Sequence, residues 1–304
     1  MIETYIKKLI KNLPEKNGTN IPQRIDLVLD GGIFNGSYLV GALYFLKEME
    51  KKNYIIIERI SGCSIGSITG LLYLIDSLDI VEQLYIHLLN CLKKNYNLSM
   101  IKDLKIYLKD RITEDICDKV NNKLYINYNN ISDNKKHVKK VYKDVDELID
   151  TIIKSCYIPF FIDNNLLYKE KYIDGLNPYI FEKEHGKKIL FIDLYGFDKI
   201  FQTLNVKNEK TNFHRILSGL LDIHTFYIKQ SNTYMCSYVD EWNIINRFLY
   251  SIKLCIEKII IYLVISIVFI QKYIPDEWKR NILYKIIVKI CQDIFIILFE
   301  NYCL

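Results

Sequence analysis

Asp30-Gly31-Gly32-Ile33-Phe34-Asn35-Gly36 and Gly62-Cys63-Ser64-Ile65-Gly66 are two glycine-rich turns, each placed between an apolar β-branched run and an apolar run of helical pattern. The first turn follows Ile25-Asp26-Leu27-Val28-Leu29 and opens Tyr38-Leu39-Val40-Gly41-Ala42-Leu43-Tyr44-Phe45-Leu46. The second follows Tyr54 to Ile60 and opens Ile68-Thr69-Gly70-Leu71-Leu72-Tyr73-Leu74-Ile75. Both read as strand, tight turn, helix. Strands alternating with helices predict an α/β fold, a mainly parallel sheet with helices on both faces.

The second turn has the form G-x-S-x-G. At a strand-to-helix bend this is a nucleophile elbow, in which the serine sits on a strained turn and small flanking residues let strand and helix approach without a Cβ clash. Ser64 is therefore the candidate nucleophile, with Gly62 and Gly66 as its small neighbours. The free N–H groups and dipole of a helix N-terminus favour developing negative charge beside it, which suits acyl transfer. In the first turn, consecutive glycines leave backbone amides unobstructed, so Gly31, Gly32 and Ile33 are candidate donors to the oxygen of a tetrahedral intermediate, and Gly36 closes the turn. A nucleotide phosphate loop is a poor fit. The spacing is neither G-x-G-x-x-G nor a Walker sequence, and no Lys-Ser or Lys-Thr follows Gly36.

A serine nucleophile needs a base. Of the five histidines, His87 lies in an apolar helical pattern, His137 in a lysine-rich stretch and His185 in a charged turn, which leaves His214 and His224. A second possibility is the segment Ser155-Cys156-Tyr157-Ile158-Pro159-Phe160-Phe161 leading to Tyr172-Ile173-Asp174-Gly175-Leu176-Asn177-Pro178, where an Asp-Gly turn after a short apolar stretch places a carboxylate at a strand end.

The order of these three elements resembles the patatin-like phospholipase family: D-G-G after the first strand, G-x-S-x-G one strand-helix unit later, then S-x-x-x-P-x-F leading to D-G with a nearby N-P. The resemblance covers roughly residues 21 to 180. It implies a three-layer α/β/α core and a serine-aspartate dyad without histidine, with Ser64 as nucleophile, Asp174 of the Asp174-Gly175 pair as base and the Gly31-Gly32 loop as oxyanion hole. The chain departs from the family pattern at three places. Ile33 stands where a third glycine is usual, Asn35 where Arg or Lys is usual, and Leu176 where a second glycine often follows D-G. The implied activity is lipid acyl hydrolysis, phospholipase A-like lipid degradation through a Ser64 acyl-enzyme. It requires no metal and no cofactor; no His, Cys, Asp and Glu spacing suggests zinc and no EF-hand loop is visible. Two other readings stay open: a Ser-His-acid esterase of the α/β-hydrolase type using His214 or His224, and a non-catalytic membrane-associated protein that keeps the fold.

The chain has 304 residues, half of them hydrophobic, enough for one full α/β core plus an appendage and incompatible with disorder. Eight cysteines without a C-x-x-C pair read as buried thiols in a reducing compartment. The stretch Met1 to Leu13 mixes charges with Ile and Leu at helical spacing, so it predicts an amphipathic segment over residues 1–20 and no classical secretory signal. The net charge of +5 is modest, and the basic run Lys135 to Lys140 is followed by acidic residues, so nucleic acid is not an expected partner. Asn-rich stretches at Asn127 to Asn134 and Asn205 to Asn212 read as surface loops.

Beyond the expected catalytic domain, 21–235, lies a hydrophobic helical tail, 236–304. Ile259 to Ile270 is apolar apart from Ser266, and a spanning length of about 20 residues is reached over 252–273 only by including Lys253, Glu257, Lys258 and Lys272. Ile282 to Leu298 is a second apolar helical stretch. The expectation is an intracellular, membrane-associated protein acting on phospholipid or another acyl lipid at the membrane surface.

Overall fold

The computed structural model describes residues 2–13, 21–113, 115–195, 202–207, 209–273, 275 and 282–303. Its centre is a 7-stranded sheet. The strands are β1 (Gln23–Leu29), β2 (Ile55–Gly62), β3 (Leu124–Asn130), β4 (Lys135–Lys139), β5 (Tyr172–Ile173), β6 (Lys187–Ile192) and β7 (Cys236–Tyr238). They run in the order β4-β3-β2-β1-β6-β7, with β5 paired to β3. The four inner strands β3, β2, β1 and β6 are mutually parallel, and β4, β5 and β7 are antiparallel additions. β1 is buried from Ile25 to Leu29 on both faces, as a central parallel strand must be, which is why its sequence reads as a nearly continuous apolar run.

Register places the chemistry. Leu29 is level with Gly62 of β2 and with Ile192 of β6, and Gly62 is level with Ile126 of β3. The residues that follow, Asp30, Cys63-Ser64, Asn127 and Asp193, therefore emerge side by side at the carboxyl edge. The chain leaves β1 toward β2 and β3 on one side and returns to β6 on the other, so this edge is the switch point of an open α/β sheet, where ligands bind.

One face of the sheet is covered by α1 (Ile2–Lys11), α2 (Gly36–Lys51), α3 (Ile65–Leu74), α7 (Val145–Ser155) and α8 (Phe213–Lys229) in one continuous core with Ile25, Leu27 and Leu29. The shorter α5 (Leu104–Tyr107) and α6 (Ile116–Val120) and the longer α4 (Val81–Asn95) flank this layer. The amphipathic pattern of the N-terminus is realised as α1, whose Ile6, Leu9 and Ile10 are buried; residues 14–20 lie outside the described residues. On the opposite face, Val28, Ile189 and Phe191 are covered by Tyr179 to Phe181 and Trp242, and Tyr250 of α9 (Ile244–Tyr273) packs edge-on against Phe191. Asp26, fully buried on that face of β1, is held by the Arg59 guanidinium, which also lies over the Phe181 ring.

Several expectations change. The stretch Asn127 to Asn134 is not all surface loop. Asn127 and Asn129 are buried in β3 and only 131–134 form the turn to β4, because Leu124-Tyr125-Ile126 carries strand pairing into the asparagines. In the second Asn-rich stretch, Asn212 is buried and donates to Ser37 Oγ at 3.1 Å. β7 lies beyond residue 235, where the sequence reading ends the catalytic domain, and belongs to the sheet. Among the described cysteines, Cys63, Cys117, Cys156 and Cys236 are buried, whereas Cys255 is exposed; the side chain of Cys291 lies outside the described residues. The tail comprises α9 and α10 (Ile282–Tyr302). α9 has 30 residues and is the one described helix long and apolar enough to cross a membrane; only 11% of its apolar window is buried.

Candidate active site

Ser64 occupies the bend between β2 and α3 with φ 49° and ψ −128°, a conformation that L residues avoid and that costs roughly 1–2 kcal/mol. Two close approaches hold it there. A Cβ on Gly62 would lie 2.5 Å from the Gly66 carbonyl, and one on Gly66 would lie 2.5 Å from the Leu29 carbonyl oxygen, so neither position admits a side chain. The Ser64 N–H donates to both the hydroxyl (2.9 Å) and the carbonyl (3.1 Å) of Ser155 at the end of α7. Ser64 is only 7% exposed.

Asp174 follows the short strand β5. Its N–H donates to the Tyr157 carbonyl (2.9 Å), and its own carbonyl accepts from Asn129 Nδ2 (2.8 Å). Asn127 Nδ2 donates to the carbonyls of Gly175 (3.1 Å) and Asn177 (2.8 Å), and a Cβ on Gly175 would fall 2.4 Å from that amide. The two buried asparagines of β3 therefore fix the backbone from 174 to 177. Leu176 completes the turn at φ 58°, doing with strain what glycine does freely, and its N–H donates to Asp174 Oδ1 at 2.7 Å. Asp174 is 5% exposed, its carboxylate lies beside the Ser64 side chain, and no Lys or Arg is bonded to it among the described residues. Burial pushes its pKa up to about 6; the Leu176 N–H and the Ser64 hydroxyl pull the other way.

The glycine turn faces this pair. A Cβ on Gly31 would sit 3.3 Å from that of Ser64, so the turn lies directly against the elbow. The expected trio of donors is reduced: the Gly31 N–H already donates to Asp30 Oδ1 at 2.9 Å, because the Asp side chain folds back over its own turn. The amides of Gly32 and Ile33 are the ones not engaged by a protein acceptor among the described contacts. Gly32 has φ 148°, and Ile33 stands at φ 45°, a rare state for a β-branched residue. Gly36 packs so tightly on Ile65 that an added Cβ would come within 2.2 Å of it. Asp30 is fully buried; Leu194 N–H donates to its Oδ2 at 3.3 Å and Lys253 Nζ at 3.1 Å. Burial pushes its pKa up to about 7, with the Lys253 charge opposing.

Asn35 is held by Arg215 of α8, whose Nη1 donates to Asn35 Oδ1 at 2.7 Å. Arg215 is 1% exposed, and it also donates to Glu209 and to the carbonyls of Gln202 and Asn205. It braces the turn from behind. Below the turn, an apolar recess, open to solvent, is lined by Ile33, Phe34, Ile65, Ile68, Leu84 and Leu88 among others.

The histidines lie elsewhere. His214 pairs with Glu209 at 3.3 Å on the surface, and His224 packs edge-on against Phe45; neither contacts Ser64 or Asp174. Sequence reasoning brought Ser64, Asp174 and the glycine turn together but gave no role to Asn127, Asn129, Ser155 or Arg215. For the asparagines a signal existed, since Leu124-Tyr125-Ile126-Asn127-Tyr128 has strand composition.

Residues 27–177 match the model of the patatin-like phospholipase family. No curated protein matches the chain.

Proposed function

Taking residues 27–177 as a patatin-like phospholipase domain, we propose that the chain is a lipid acyl hydrolase in which Ser64 is the nucleophile, Asp174 the base, and the amides of Gly32 and Ile33 the oxyanion hole. The observation that carries this reading is a serine on a strained elbow set beside a buried carboxylate with no bonded cation among the described residues. As Ser64 Oγ attacks the ester carbonyl, its proton passes to Asp174 and the carbonyl oxygen takes up negative charge facing the two amides. Collapse of the tetrahedral intermediate breaks the acyl–oxygen bond, and the leaving alcohol takes the proton from Asp174. Water then gives a proton to Asp174 and attacks the acyl-enzyme; the fatty acid leaves and Ser64 regains its hydrogen. A carboxylate raised to about 6 is roughly a hundredfold stronger a base than one at about 3.9.

The apolar recess beside Ile33 and Ile65 suits an acyl chain. The membrane supplies it. Lys253, Glu257, Ile261, Val264 and Val268 of α9 fall on the face turned to the domain, while Ile256, Ile259, Tyr262, Leu263, Phe269 and Ile270, each at least half exposed, look outward beside an exposed Lys258. Large apolar side chains left exposed along one side of a long helix are the arrangement a lipid-contacting helix presents.

The test is release of free fatty acid from mixed phospholipid vesicles by the full chain, beside Ser64→Ala and Asp174→Ala. Release that both substitutions abolish supports the dyad. Absence of release, together with no covalent labelling of Ser64 by a fluorophosphonate in folded protein, overturns it in favour of a non-catalytic membrane protein.

A further inference from the structure

The tail helix α9 lies outside the matched region, yet it touches both loops that form the candidate site. Lys253 Nζ contacts Asp30 Oδ2 at 3.1 Å and Asp193 Oδ1 at 2.7 Å. Asp30 in turn accepts the Gly31 N–H, so the ammonium is one residue removed from the glycine turn. One helical turn later, Glu257 Oε2 accepts from Asn177 Nδ2 at 2.8 Å and its carboxylate pairs with Lys136 at 2.8 Å. The Lys253 carbonyl accepts from the same Asn177 amide at 3.4 Å, and the Asn177 N–H donates to the Gly175 carbonyl at 2.7 Å, within the turn that carries Asp174. Glu257 is 6% exposed and Asp30 fully buried. A charged pair at i and i+4 on this largely apolar helix thus engages the loop after β1 with one residue and the loop after β5 with the other.

We infer that Lys253 and Glu257 are positioning residues for the reaction, setting the oxyanion turn and the Asp174 loop relative to one another across a single rigid helix. The inference rests on the proposed use of Ser64 and Asp174. The two loops leave strands that are not neighbours, and a shift of one by about an ångström would misplace the amides or the base enough to cost on the order of a hundredfold in rate. A helix fixes the separation of residues four apart to about 6 Å. The charges facing Asp30 are Lys253 of α9 and Asp193 after β6; the titratable Tyr250 of α9, Tyr195 after β6 and Cys63 before the elbow lie near as well. Lys253 is the cation among them, so its removal leaves a buried carboxylate that takes up a proton at higher pH and slackens its hold on Gly31 and Leu194.

The test compares Lys253→Met, Lys253→Arg, Glu257→Ala and Glu257→Gln in the full chain. A water-soluble short-chain ester serves as substrate, with vesicle cosedimentation measured in parallel. The expected result is a fall in kcat on the order of a hundredfold for Lys253→Met and Glu257→Ala with KM little changed. In Lys253→Met the acidic limb of the pH profile moves upward. Lys253→Arg and Glu257→Gln, which keep the cation and the acceptor, recover most of the rate. A kcat within about threefold of the parent in Lys253→Met, or a loss confined to vesicles and matched by weaker vesicle binding, would overturn the inference. Hydrogen exchange of peptides covering 30–36 and 174–178 separates this idea from the hydrolase reading. An inactive parent whose two loops exchange faster in Lys253→Met and Glu257→Ala refutes the hydrolase and keeps the clamp, whereas unchanged exchange refutes the clamp.

Discussion

Replacing Asp174 with Asn is expected to abolish activity and to stabilise the fold at the same time, by an amount that depends on pH. In the folded chain burial holds the carboxyl at about 6, against about 3.9 when unfolded, a difference worth roughly 3 kcal/mol. The folded pKa is the higher one, so the folded state prefers the protonated group. The associated stability is fully present below about pH 4 and is lost as pH rises through 6. At pH 8 an ionised Asp174 therefore destabilises the fold by up to roughly 3 kcal/mol relative to a neutral group of the same shape. Asn supplies that group, and its Oδ1 can still accept the Leu176 N–H now bound at 2.7 Å. Urea denaturation of parent and Asp174→Asn, followed by tryptophan fluorescence at pH 4, 6 and 8, should give midpoints that nearly coincide at pH 4 and separate progressively above it. A variant less stable than the parent at pH 8, or a gap of constant size across the range, would refute the assignment of a raised, desolvated carboxylate at this position.

Four further outcomes are expected. The hydrolysis rate should fall as pH drops through 7 to 6, because Asp30, near 7, and Asp174, near 6, both act as carboxylates; a rate unchanged down to pH 5 would contradict this. Ser64→Gly and Ser64→Ala should both be inactive, but Gly relieves the left-handed strain and should unfold about 1 kcal/mol later than Ala in a denaturant titration. Ile33→Gly keeps its N–H and sheds a φ of 45°, so activity should persist and thermal stability should be unchanged or higher by up to about 1 kcal/mol; loss of labelling by a fluorophosphonate would remove Ile33 from the hole. A chain carrying both His214→Ala and His224→Gln should retain parental fatty acid release, and an inactive but folded double variant would restore the Ser-His-acid alternative.

The elements legible in the sequence are those whose signal is local. β1 and β2 are apolar runs bounded by glycines, and their turns carry their own chemistry, so strand, elbow and glycine turn follow from a few residues each. Asp174 was reachable because Asp-Gly marks a turn, though its pairing with Ser64 needed the resemblance. What escaped was long-range or carried by residues with misleading local meaning. Asn127 and Asn129 look like loop residues, since asparagine has low strand propensity; their burial is decided by one carbonyl-rich turn nearly 50 positions away, which only the fold brings near. Arg215 sits in an amphipathic helix where a single arginine reads as surface. Lys253 and Glu257 read as charges interrupting a hydrophobic span, when in the folded chain they are the points at which that helix meets the domain.

The proposed dyad without histidine makes one physical demand that organises the rest. An aspartate in water is too weak a base to serve a serine hydroxyl, so Asp174 has to be desolvated, and desolvation is what raises it to about 6 and what destabilises the fold. A desolvated site with Ser64 7% exposed and Asp174 5% exposed gives little access to an aqueous substrate. Substrate that approaches through an apolar recess and from the side of an outward-facing apolar helix does not meet that barrier, because an acyl chain gains by leaving water where a polar ester would lose. The outward apolar side of α9 and the burial of Asp174 are then two parts of one arrangement. A variant that opens the site to water should lower the pKa of Asp174 and the rate together, and solvent access to Ser64, read from the pH dependence of fluorophosphonate labelling, is where that coupling can be measured.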